Sequence, residues 1–91
     1  AFKVDFAIIG TSALDMDGDL LDFDAQEVRV SRAIIRQARK VFLVTDASKL
    51  RRSAPVKIGS LAEIDALFTD APLPEALAAK CRDWETGVHV A

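Results

Sequence analysis

Val4, Phe6, Ala7, Ile8 and Ile9 form an almost unbroken apolar run ending at Gly10, and an amphipathic stretch separates it from a second run, Val41 to Thr45. That order of strand, helix and strand constrains the chain more than any other feature. Parallel neighbours need a crossover connection, and such crossovers are almost always right-handed. Runs that are apolar at consecutive positions, rather than alternate ones, read as strands covered on both faces of a parallel sheet. The expected class is α/β, with its first strand running from Phe2 to Ile9.

The helix between the runs has a legible start and a legible inner face. Asp24 followed by Glu27 has capping-box spacing, with the aspartate carboxylate standing in for a hydroxyl. Val28, Ser31, Ile34, Ile35 and Ala38 recur at helical spacing, and Arg29, Arg32, Arg36 and Arg39 follow one position on. Before the helix, residues 10 to 23 carry Asp15, Asp17, Asp19 and Asp22 around Gly18, a composition expected of one loop. After the second strand, Asp46 to Pro55 reads as a polar, basic loop and Val56 to Ile58 as a short strand. Ser60 and Glu63 repeat the capping-box spacing ahead of one helical turn, and Ala66 to Thr69 reads as another strand. A helix is expected from Glu75 to Trp84 and a closing strand over Val88 to Val90. With no repeat or flexible linker, residues 1 to 91 are read as one continuous unit.

Composition narrows the function. Hydrophobic residues make up 51% and charged residues 29%, enough to bury a core and remain dissolved. The formal net charge of −2 lacks the positive field that phosphate-backbone binding requires, and no helix-turn-helix pair can be read, so the chain itself is not expected to bind DNA. Cys81 is the single cysteine and cannot form an internal disulfide; with no signal-peptide pattern ahead of the first strand, a cytoplasmic setting is expected. The longest apolar runs fall far short of the roughly 20 residues that span a bilayer, so no membrane partner is expected. The opening without methionine, directly on a strand pattern, is expected of a piece of a longer protein.

In open α/β sheets, ligands bind where loops leave the carboxyl ends of the strands. The first such loop offers Gly10, Thr11, Ser12, Asp15 and the acids beyond; the second offers Asp46, Ser48 and Lys49. A lysine ammonium beside a sheet edge is a point-charge partner for a phosphate, although an isolated loop lysine is more often simply solvated. Glu27 carries two readings, a fold-back cap on its own helix or a group facing a ligand. His89 has no second histidine and no motif-spaced acid or cysteine, so neither a metal site nor a cofactor is expected. Cys81 and Trp84 read as core, and the arginine stripe as a solvated face.

Gly10, Asp15 and Gly18, then Glu27-Val28, Asp46-Ala47-Ser48-Lys49 and Thr69-Asp70, resemble in spacing the effector domain of DeoR-family regulators, from Asp5 to about Pro74. Within the family the sequence looks like the glycerol-3-phosphate regulon repressor branch. The resemblance implies the C-terminal part of a Rossmann-like sensor fold related to ribose-5-phosphate isomerase. It implies a small phosphorylated metabolite held by Gly10, Thr11, Asp15, Glu27, Asp46, Ser48 and Lys49. It also implies operator DNA bound only through an N-terminal winged helix-turn-helix outside this chain, and a homo-oligomer, since operators mirror protein symmetry. In the related isomerases the loop before the helix carries a catalytic lysine and the helix start a general-base glutamate. Glu27 matches the glutamate, whereas Asp17, Gly18 and Asp19 stand at the lysine's place, so a non-catalytic relative is expected.

Four other readings weigh less. An isomerase-like or other phosphosugar enzyme would need the missing lysine. Asp15-Met16-Asp17-Gly18-Asp19 is similar to the nucleophile motif of haloacid dehalogenase-type phosphatases, but Asp19 replaces its threonine and the motif starts five residues after Gly10. A calcium loop fails because Gly18 falls at the fourth position and Gln26 at the twelfth. A purely structural association module predicts no saturable binding of any phosphosugar.

Overall fold

A computed structural model describes residues 3–91, so Phe2 of the expected first strand lies outside the described residues. In chain order the elements are β1 (Val4–Ile9), β2 (Ala13–Leu14), β3 (Asp19–Asp22), α1 (Ala25–Gln37), β4 (Ala38–Val44), β5 (Val56–Ser60), β6 (Ala66–Thr69), α2 (Glu75–Asp83) and β7 (Gly87–Val90). The expected crossover is present: β1 pairs parallel with β4 through α1, with Ile9 opposite Leu43. β6 and β7 extend the sheet in the order β1-β4-β6-β7, every pair parallel. The α/β class therefore holds.

Asp24 starts α1 as the sequence requires, its carboxylate accepting the Gln26 amide at 2.8 Å. Val28 is buried and Ile34 and Ile35 pack partly on the core. The apolar stripe extends through Ala38, yet the helix stops at Gln37, because Ala38 is already extended at φ −87 and ψ 143 and opens β4 with no intervening loop.

The largest departure from the sequence reading is a second sheet. Residues 10 to 23, expected as one loop, contain β2 and β3, which pair antiparallel with Ala13 opposite Leu21 and Leu14 opposite Leu20. β5 joins this hairpin antiparallel to β3 rather than the parallel sheet. The turn bond from the Gly18 amide to the Asp15 carbonyl, with Gly18 at φ +87, makes the three-residue hairpin connection in which a left-handed glycine follows the turn. Leu14, Leu20 and Ile58 of this sheet meet Ile9, Val41, Leu43 and Leu67 of the parallel sheet in one core, which Leu61, Ile64, Leu77 and Cys81 complete. Each such side chain contributes about 1.5–3 kcal/mol through the apolar surface it removes from water.

The expectation that β1 is covered on both faces is corrected. Ile9 is buried, but Phe6 and Ile8, on the opposite face, are 68% and 71% exposed. They begin an apolar row across the sheet. Phe6 stacks on Phe42 at 6.0 Å, Phe42 meets Phe68 edge-on at 5.9 Å, and Phe68 stacks on His89 at 4.7 Å. The smaller devices conform: Ser60 and Glu63 form the reciprocal capping box, Cys81 is buried, and Trp84 packs partly buried against the core at the end of α2. Among the described residues, no helix is long and apolar enough to cross a membrane.

Candidate functional site

The chain leaves β1 at Gly10 and is at once tied to β3. The Thr11 hydroxyl lies 2.7 Å from the Ala13 carbonyl and 2.9 Å from the Leu21 carbonyl, sharing its one proton between them, and accepts the Leu21 amide at 3.1 Å. Thr11 is buried, so its hydroxyl is committed to fixing this loop. One residue on, the Ser12 hydroxyl donates to Asp22 Oδ1 at 2.9 Å, and the Phe23 amide donates to the same oxygen at 2.7 Å. The loop after β1 and the end of β3 thus form two walls of a cavity of about 540 Å³. The start of α1 forms the third wall through Asp24, Gln26, Glu27, Val30 and Ser31. Nothing stands within 4 Å of where a Cβ on Gly10 would be, so this corner is open.

Among the described residues, three carboxylates line the cavity, Asp22, Asp24 and Glu27, and no lysine, arginine or histidine does. Asp24 is partly spent on its helix cap. Glu27 does not fold back as the capping-box spacing suggested; Val28 continues the helix with its amide on the Asp24 carbonyl, and the exposed Glu27 carboxylate has no hydrogen bond among the described residues.

β4 lies beside β1 and parallel to it, so the second loop leaves the same end of the sheet. Asp46 caps the turn Ala47–Arg51, accepting the Ser48 amide at 2.9 Å and the Ser48 hydroxyl, while Lys49 Nζ approaches Asp46 Oδ2 to 3.4 Å. The Ser48 hydrogen bonds, with the Lys49 charge behind them, hold the Asp46 carboxyl below the usual carboxylate range. Lys49 is therefore neither free nor buried: its side chain is 22% exposed and already has an anionic neighbour. Asp70 steadies the turn by accepting the Ala47 amide at 2.8 Å. The neighbouring Thr45 Oγ1 is buried with no hydrogen-bond partner among the described residues.

Of the residues singled out from the sequence, Gly10, Thr11, Ser12 and Glu27 come together around the cavity. Asp46, Ser48 and Lys49 form the turn at the adjacent strand end and do not line it. Asp15 sits in the β2–β3 hairpin, where its Oδ1 accepts the Asp17 and Asp19 amides, and it does not line the cavity either. The sequence reading counted Asp22 only among the acids beyond Asp15, without singling it out, and did not offer Gln26, Val30 or Ser31 as wall residues. The signal was available: pairing Ala13 with Leu21 brings Ser12 and Asp22 together. Among the described residues, no three His, Cys, Asp or Glu side chains are placed to hold a metal ion.

Residues 1–71 match the family described as the DeoR C terminal sensor domain. The chain is 53% identical over 73 residues to the glycerol-3-phosphate regulon repressor of Escherichia coli (strain K12), covering 80% of this chain and 29% of that protein. It is 45% identical over 85 residues to the protein of the same name from Haemophilus influenzae, covering 93% of this chain and 33% of that one. Identity is 38% over 82 residues to the HTH-type transcriptional repressor CsqR of Escherichia coli (strain K12), covering 90% of this chain and 31% of that one. The chain thus spans about a third or less of the length of these curated relatives. With the family matched over most of its length and its resemblance motifs inside the match, this chain belongs to the DeoR C terminal sensor domain family.

Proposed function

We propose that this chain is the effector-sensing part of a cytoplasmic, oligomeric transcriptional repressor. Its effector is a phosphorylated sugar or sugar alcohol such as glycerol 3-phosphate. Operator DNA is bound by another part of the protein, and effector binding relieves that hold. The observation that carries the reading is membership of a sensor-domain family together with a polar cavity at the carboxyl end of β1, the side on which open α/β sheets bind ligands. The names of the most similar relatives favour glycerol 3-phosphate. A non-catalytic role is favoured by the cavity lining, which holds carboxylates and no cation to steady a developing enediolate.

Coupling requires the effector to favour one of two states by its own differential affinity. Lys49, at the neighbouring strand end, supplies a candidate charge for the phosphate, and Gly10, Thr11 and Glu27 the cavity surface. The test is calorimetric titration of the intact protein with glycerol 3-phosphate and a panel of sugar phosphates, with product formation and operator binding followed in parallel. Saturable binding without turnover, accompanied by weaker operator binding, supports the reading. Turnover restores an enzyme, and silence across the panel leaves an association module. Lys49→Ala is expected to weaken effector binding at least about tenfold, the scale of one charged hydrogen bond, with operator affinity intact; unchanged effector affinity removes Lys49 from the site.

A further inference from the structure

We infer that Asp22 is the specificity-determining residue of this cavity, accepting hydroxyl protons from the uncharged end of the effector while the phosphate lies outside. The inference rests on the reading of the chain as a sensor of a phosphorylated polyol. Its starting point is the mismatch between that ligand and the cavity. A phosphate dianion placed inside would face Asp22, Asp24 and Glu27 with no cation in the lining to offset them. Ionised carboxylates are acceptors only, so the ligand groups they match are proton donors, and a polyol end is a row of hydroxyls.

Among the three acids, Asp22 is the one whose geometry is fixed for this task. Ser12 and the Phe23 amide both hold Oδ1, at 2.9 and 2.7 Å, which sets the carboxylate plane and leaves Oδ2 without a donor among the described residues. Asp22 is half-buried, so a bond made there is less diluted by water than one to the exposed Glu27. Asp24 already spends an oxygen on the Gln26 amide. Ser12 is thus a positioning residue, acting through Asp22.

The experiment compares glycerol 3-phosphate with n-propyl phosphate, which carries the same phosphate and no hydroxyl, in calorimetric titrations of the intact protein. A charge-assisted hydrogen bond to one hydroxyl corresponds to roughly a tenfold or greater preference for the polyol. Asp22→Ala is expected to cut that preference at least about tenfold while leaving n-propyl phosphate affinity within about twofold of the parent. Asp22→Asn keeps the oxygen that Ser12 and Phe23 require, so it carries the test if the alanine variant fails to fold, and its preference should be intermediate. Equal weakening of both ligands, or an undiminished preference, overturns the assignment while leaving the sensor reading intact. Failure of the parent protein to bind any phosphorylated polyol overturns both.

Discussion

Gly18→Ala should be among the most damaging one-methyl changes this domain can suffer. Gly18 sits at φ +87, where a Cβ costs about 1–2 kcal/mol. A Cβ built there falls 2.8 Å from both Cη2 and Cζ3 of Trp84, inside any distance that real contacts allow. The ring has little room to yield, because Trp84 caps α2 and packs against the core, and such overpacking typically costs about 1–3 kcal/mol. Together these give about 2–5 kcal/mol, a large share of the 5–15 kcal/mol that holds a typical domain. Urea unfolding followed by circular dichroism is the assay. At a slope of about 2 kcal/mol per molar the midpoint should fall by about 1–2.5 M. Gly10→Ala is the matched control: its Cβ meets nothing within 4 Å, so the midpoint should move by less than about 0.5 kcal/mol equivalent. Trp84→Leu in the Gly18→Ala background should recover the clash and leave the backbone cost. An unmoved midpoint for Gly18→Ala would refute the reasoning.

The parallel crossover was legible because its signals are local and redundant: an apolar run, an Asp24 cap, a 3.6-residue stripe and a second run all agree. The Ser60–Glu63 box and the burial of Cys81 were legible for the same reason. The β2–β3 hairpin was not read because four aspartates outweigh the Leu14–Leu20 and Ala13–Leu21 pairs that carry it. Yet Asp17-Gly18 between Leu14 and Leu20 is a strong short-range hairpin signal, and Asp15 is acidic because its carboxylate must accept two turn amides. That oversight propagated to the site. Once Asp15 was assigned to a loop, it looked like a ligand group, while Asp22, brought to the cavity only by strand pairing, looked like one more turn acid. Glu27 had two competing readings that spacing alone weighs equally, and only the observed geometry separates them: Glu63 reaches back to Ser60, whereas Glu27 stays unpaired at the cavity. The exposed row from Phe6 to Phe68 escaped for a different reason. An apolar run reports that a strand face avoids water, and says nothing of which part of the protein covers it.

Two further changes test the packing around α2. Burial pushes the Cys81 thiol up and removes it from solvent, so iodoacetamide should label it only at the rate of unfolding in native buffer and readily in urea; fast native labelling would show that α2 does not pack as described. Glu85→Gly should act in the direction opposite to Gly18→Ala. Glu85 follows the end of α2 at φ +59, with its amide on the Arg82 carbonyl and the Thr86 amide on the Cys81 carbonyl, the paired bonds of a Schellman motif. Glycine is the residue that conformation favours, and Glu85 is exposed, so its side chain makes little packing to lose. Relief of about 1–2 kcal/mol of left-handed strain, less about 0.5–1 kcal/mol for the added freedom of the unfolded chain, leaves a gain of up to about 1.5 kcal/mol. Thermal unfolding should register that as a rise of about 4–8 °C per kcal/mol for a domain of this size. A lowered melting temperature would mean that the glutamate side chain contributes an interaction larger than the strain it imposes.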